Sequence, residues 1–154
     1  MFYVTKKGSY SIRALLQLAA NIQEKGRTHI GEIADQTHIP EPFLRKIFSS
    51  MAKNGIVHSK RGLSGGVELL NEIDDITVYD VMIAVEGELA IYKCLKHPEI
   101  CPKNGDCQTQ NMWRAIQDNL VDSLKKIKIK QLYDGDNISG CIHPEFGIRD
   151  GVKF

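Results

Sequence analysis

No apolar run in this chain of 154 residues is long enough to span a bilayer, and Met1-Phe2-Tyr3 does not open a signal peptide, so a cytoplasmic protein is expected, with no membrane as partner. Cysteine is scarce, at four residues, and no two stand as Cys-x-x-Cys, which removes the usual motif of a thiol redox protein or electron carrier. The glycine-rich run Arg61-Gly62-Leu63-Ser64-Gly65-Gly66 lacks the Gly-Lys-Ser/Thr ending and following helix of a nucleotide-binding loop. No Ser/His/Asp or Cys/His constellation marks an active site, and an enzyme is not expected. Lys and Arg are missing altogether from residues 63–92, which hold the acids Glu68, Glu72, Asp74, Asp75, Asp80, Glu86 and Glu88.

The positive charge lies upstream instead. Lys6, Lys7, Arg13, Lys25, Arg27, Arg45, Lys46, Lys53, Lys60 and Arg61 face only Glu24, Glu32, Asp35 and Glu41 in residues 1–62, although the whole chain nets +1. A basic front and an acidic middle fit a protein that lays one face on phosphates, because counterion release rewards local positive charge. An uneven solvated surface would have the same composition.

Ile12, Leu15, Leu16, Ala19 and Ile22 recur at helical spacing and predict a helix over about 9–23, ended by Gly26. A short helix over 31–37 turns Ile33 and Ala34 inward. Ile39-Pro40-Glu41-Pro42 then makes a turn that enters a third helix, about 41–54, with Leu44, Ile47, Phe48 and Met51 on one side. Arg45, Lys46, Ser49 and Lys53 fall on the other. Two short helices joined by a tight turn, the second apolar inside and basic outside, are the layout of a helix-turn-helix, and a plain helical hairpin would look similar. The continuation separates them: Ile56 to Lys60, the glycine-rich turn, and Val67 to Leu70 read as strand, turn and strand, a wing whose tip carries Arg61 and Gly62.

Beyond the wing, Thr77 and Asp80 have the spacing of a capping box, opening a helix with Val78, Val81, Met82 and Val85 on one face that ends near Gly87. A loop over about 90–107 is rich in Pro, Gly, Lys and Asp. From Thr109 a long helix restarts with Met112, Ile116, Leu120, Leu124 and Ile127 near one face and Trp113 beside it, a stripe that suits a dimer surface or packing on the chain's own first helix. The expected fold is mainly α with a small β wing: a winged helix-turn-helix domain over 1–87, a cysteine-rich loop over 88–108, a dimerisation-helix region over 109–134, and a tail over 135–154.

Cys94, Cys101 and Cys107 stand within fourteen residues, with six and then five residues between them. These spacings are wider than the paired knuckles of structural zinc sites and suit a loop wrapped around a larger inorganic core. Zinc and three inert thiols remain alternatives. Cys107 precedes the long helix, where the dipole and free N–H groups favour a thiolate.

Lys7-Gly8-Ser9-Tyr10, Glu32-Ile33-Ala34, Phe43-Leu44-Arg45-Lys46-Ile47-Phe48, Lys53-Asn54-Gly55-Ile56-Val57 and the glycine-rich turn, in this order, resemble the winged-helix regulators that include IscR and NsrR. The resemblance runs over about residues 1–134, through the three cysteines and the Trp113 helix. It implies a homodimeric transcription factor, usually a repressor, whose three cysteines hold an iron-sulfur cluster, [2Fe-2S] or [4Fe-4S], that senses iron, redox state or nitric oxide. Its partner is double-stranded DNA at a palindromic operator. The expected contacts are Glu41, Arg45, Lys46, Ser49 and Lys53 on the recognition helix, with Arg61 and Gly62 on the wing.

The fourth ligand departs from the family pattern. A histidine three residues after the third cysteine, or an acidic residue of the first helix, would serve there; Gln110 and Ser9 occupy those positions. Candidates elsewhere are His97, Glu99, Asp106, Cys141 and His143. A winged-helix regulator without a cluster, using thiol oxidation, zinc or a partner protein as its signal, is the alternative. A structural module whose cysteines bind zinc is another.

Overall fold

The computed structural model describes residues 4–60, 62, 65–101, 103 and 106–135. Helix α1, Lys6–Lys25, begins at Thr5, whose hydroxyl accepts from the Gly8 amide at 3.1 Å, and ends at Gly26 with φ of 76°. It starts earlier than the apolar repeat predicts because its cap lies upstream of that repeat. Ala14, Leu15 and Leu18 are fully buried, and α1 packs on nearly every other helix of the core.

Helices α2, Ile30–Thr37, and α3, Glu41–Lys53, are joined by His38, Ile39 and Pro40. His38 takes the left-handed conformation that turns the chain, at φ of 56°, and Ile39 inserts into the core, so the turn is fixed from inside. Pro42 falls in the first turn of α3, where a missing N–H costs nothing. Leu44, Ile47, Phe48 and Met51 are fully or almost fully buried. Each contributes roughly 1.5–3 kcal/mol of apolar burial, which fixes the rotation of α3 about its axis. Arg45, Lys46, Ser49 and Lys53 consequently face solvent, as the spacing predicts.

Strands β1, Val57–Lys60, and β2, Gly66–Leu69, form the antiparallel wing, with Val57 opposite Leu69 and Lys60 opposite Gly66. A third segment joins them that sequence patterning does not foresee. Thr28 bridges to Val67 through paired backbone bonds of 3.0 and 2.8 Å, so the link between α1 and α2 holds the wing.

The capping box is formed as expected. Thr77 Oγ1 accepts from the Asp80 amide at 3.1 Å and Asp80 accepts from the Thr77 amide at 2.9 Å, starting α4, Val78–Glu86. The expected irregular loop contains a helical turn, α5, Lys93–Lys96, and a 3-10 turn, Pro98–Ile100. Helix α6, Gln108–Lys126, follows, with Cys107 at its N-cap position, and α7, Ile129–Asp134, packs on α1.

The apolar stripe expected along the long helix divides. Met112 and Ile116 are exposed, whereas Leu124 packs on the core and Ile127 lies beyond the helix end, buried. The cause is a bridge between Thr77 and Lys128, with Val78 N–H donating to Ile127 O at 2.9 Å and Ile129 N–H to Ile76 O at 2.9 Å. It ties the C-terminal end of α6 to the start of α4. The fold is thus mainly helical with a two-stranded β wing.

Candidate nucleic-acid interface and cysteine site

Between α3 and the wing lies an open groove of about 1000 Å³. It brings together Glu41, Arg45, Ser49, Lys53 and Gly62, all expected from the sequence, and adds Lys60. Lys46 is exposed on α3 but does not line the groove, and Arg61 lies outside the described residues. Lys60 belongs to the basic front of the sequence, and its place on the groove beside α3 follows from the position of β1. His29, also on the groove, had no sequence signal; it is the residue that precedes α2.

Arg45 is held by Glu41, one turn earlier on the same helix, in an ion pair in which both side chains remain solvent-accessible. Its guanidinium is thereby aimed along the helix before any ligand arrives, at little energetic cost since an exposed i,i+4 pair is weak and readily exchanged. On the wing, Glu68 of β2 accepts from Arg27 and lies 3.1 Å from His58 Nδ1. The hydrogen bond from Arg27 is the main reason the Glu68 carboxyl is held below its ordinary pKa, with His58 next. Gly66 completes the join: a Cβ there would sit 2.7 Å from Thr28 O, so only glycine lets the wing approach the α1–α2 link this closely.

Cys94 lies in α5, Cys101 follows the 3-10 turn, and Cys107 stands at the N-cap position of α6. All three are half-buried and free of disulfides. Cys94 and Cys101 line one hollow of about 1100 Å³ walled by Ala90, Ile91, Tyr92 and Ile100. His97 borders the same hollow, exposed, with Nδ1 3.2 Å from Glu99. Asp106 is exposed beside Cys107, and Ser9 is exposed on α1. Gln110 is buried, at 2% exposure, and its Nε2 donates to the Cys94 carbonyl at 3.3 Å. Cys141 and His143 lie outside the described residues. Three half-buried thiols in one loop are a soft donor set whose chemistry suits iron-sulfur or zinc binding. The loop does not gather three ligating side chains among the described residues. The donor types fit such a group.

Residues 4–135 match the Rrf2 family, described as an iron-dependent transcriptional regulator. The chain belongs to the Rrf2 family. Among the relatives of this Rrf2 protein is the HTH-type transcriptional regulator IscR of Escherichia coli O9:H4 (strain HS), 30% identical over 156 residues, covering 97% of this chain and 95% of the relative. In structure it resembles IscR of T. potens, with a TM-score of 0.69, 26% identity, and coverage of 87% of this chain and 88% of the other. It also has the fold of CymR (YrzC), the global cysteine regulator of B. subtilis, with a TM-score of 0.70 at 24% identity, covering 89% of this chain and all of CymR. This is therefore an IscR-like transcriptional regulator with an Rrf2 winged helix. Among the described residues, no helix is long and apolar enough to cross a membrane.

Proposed function

We propose that this chain is a homodimeric repressor that binds a palindromic operator, and that an iron-sulfur cluster on Cys94, Cys101 and Cys107 controls its affinity for DNA. The carrying observation is the position of the cysteine loop: it joins α4, which packs on α1 and α3, to α6, which exposes Met112 and Ile116. A rearrangement of the loop that shifts the N-terminal part of α6 against α4 would change how the DNA-reading groove sits relative to that exposed face. If Met112 and Ile116 meet a second copy, the two grooves must lie about one DNA turn apart, roughly 34 Å, and a small change of angle weakens binding.

On this reading Arg45 reads guanine by paired hydrogen bonds, Glu41 aligns it, and Lys46, Lys53, Lys60 and Arg61 hold phosphates. Ser49 and Gly62 allow close approach to the duplex. A cluster, when bound, supplies a redox-labile anionic core that cross-links the loop. Support for iron comes from the family's description and from the IscR relatives. Cys107 stands at the N-cap position of α6.

A second reading is favoured by the three half-buried thiols, none of them in a disulfide: cysteine oxidation itself is the signal. Anaerobic purification with a visible spectrum and iron and sulfide assays separates the two. Brown protein with matched iron and sulfide is expected; colourless protein that cannot be reconstituted overturns the cluster and leaves the thiol switch.

A further inference from the structure

The segment that carries Cys94 lies along one stripe of α6. Gln110, Trp113 and Gln117 are spaced three and four residues apart, so they share a helical face. Each meets a different residue of the loop. Gln117 Oε1 accepts from the Ile91 amide at 3.1 Å. Trp113 stacks on Tyr92 with ring centroids 6.1 Å apart and an interplanar angle of 11°. Gln110 Nε2 donates to Cys94 O at 3.3 Å. The loop ascends as the helix descends, so Ile91, Tyr92 and Cys94 meet Gln117, Trp113 and Gln110 in reverse order.

We propose that this stripe is a latch, and that Gln110 is a positioning residue for Cys94 rather than a metal ligand. The proposal rests on the reading that the cysteine loop is the sensing element, and it adds the route by which Cys94 is coupled to α6. Three features support the role. Gln110 is buried although polar, so its amide must be satisfied inside the protein, and the Cys94 carbonyl accepts from it. The two glutamines bind backbone atoms of the loop, which leaves the Cys94 thiol available for chemistry. The stacked pair bridges them, with Tyr92 itself largely exposed, so the latch is shallow enough to open.

A shift of Cys94 toward Cys101 and Cys107 pulls on its own carbonyl. That strains or breaks the Gln110 bond, and the disturbance passes to the Tyr92–Trp113 stack and the Ile91 amide. The latch therefore has two states, loop along α6 or loop drawn away, and the chemistry at Cys94 selects between them. The exposed Met112 and Ile116 lie on the same helix, within one turn of the stripe.

The full chain supplies its own reporter, since Trp113 is its only tryptophan. The test is acrylamide quenching of Trp113 in the metal-free reduced protein, together with the rate at which iodoacetamide labels Cys94, mapped by mass spectrometry. Gln110→Met keeps the volume but removes the donor, and Gln117→Ala removes the acceptor at the other end. One hydrogen bond is worth roughly fivefold in an opening equilibrium. Each variant is expected to label at Cys94 about two- to fivefold faster and to quench more readily at Trp113, while Gln108→Ala, exposed on the same helix, changes neither. Circular dichroism melts confirm that the variants are folded, and Gln117→Ala serves if Gln110→Met does not fold.

Unchanged quenching and labelling in both folded glutamine variants would overturn the latch. If Gln110→Met instead lowers iron content after reconstitution with no change in the metal-free measurements, Gln110 is a ligand and the positioning role is wrong. Because these readouts need no iron, a wild-type protein that never holds a cluster sinks the cluster reading without touching the latch.

Discussion

Arg27 donates to both carboxylate oxygens of Glu68, from Nε at 3.1 Å and a terminal nitrogen at 2.7 Å, and so fastens the α1–α2 link to the second wing strand. The same link carries Thr28, whose backbone pairs with Val67. Because Glu68 has its pKa lowered by this partner, the clamp is intact above the ordinary carboxylate value and is lost as pH falls through the lowered one. Amide exchange of Thr28 and Val67 across acidic pH should show protection declining in that window. In Glu68→Gln the pH dependence should vanish, and in Arg27→Ala protection should be lower throughout; wild-type protection independent of pH would show that the clamp does not hold the wing.

Gly66 stands at the same junction with φ of 145°, where a Cβ would meet Thr28 O at 2.7 Å. Gly66→Ala is expected to destabilise the protein by about 1–3 kcal/mol in denaturant unfolding, through strain and overpacking. It should also weaken DNA binding beyond the loss of folded protein, since the wing would be displaced. An alanine variant as stable as wild type would mean that the wing can shift at no cost.

Thr77 and Asp80 exchange hydrogen bonds at the start of α4. Thr77→Ala should cost about 0.5–2 kcal/mol in stability. Thr77 also faces Lys128 across the bridge that closes α6, so the same variant should raise amide exchange at Val78 and Ile129. A loss confined to α4 would separate the cap from the bridge.

The elements that the sequence reveals are those with local causes. Gly26, Pro42, the Thr77-x-x-Asp80 spacing and the apolar face from Leu44 to Met51 each act within one or two helical turns, and the structure places them as their chemistry requires. What pattern alone does not reveal depends on distant partners. Thr28 meets Val67, and Ile127 leaves the α6 stripe for the core because Thr77 pairs with Lys128. The groove was legible through its basic α3 face, but His29 reaches it through long-range contacts, the Thr28–Val67 bridge beside it and the packing of α2 on α3. At the cysteine loop, the thiols were plain in the sequence, whereas the burial of Gln110 was not, because a polar residue in a polar helical turn gives no periodic signal.

Arg45 and Lys53 both line the groove, but they are expected to fail differently when removed. Arg45→Ala should cost about 1–3 kcal/mol at the preferred operator and relax the choice of base at one position. Lys53→Ala should weaken all sequences alike and lower the slope of log affinity against log salt by about 0.9. Fluorescence anisotropy on operator and scrambled duplexes over a salt series distinguishes them; an Arg45→Ala protein with unchanged affinity and preference would displace α3 as the reading helix.

The proposed function stands or falls with the coupling of the three cysteines to DNA affinity. The most direct measurement is anisotropy, on a selected operator duplex, of one anaerobic preparation before and after its iron is removed, beside a variant in which Cys94, Cys101 and Cys107 are all alanine. Affinities at least about tenfold apart are expected for the two wild-type states, roughly 1.4 kcal/mol, with the alanine variant matching the iron-free one and unresponsive to iron. Equal affinities in both states and in the variant would contradict the coupling.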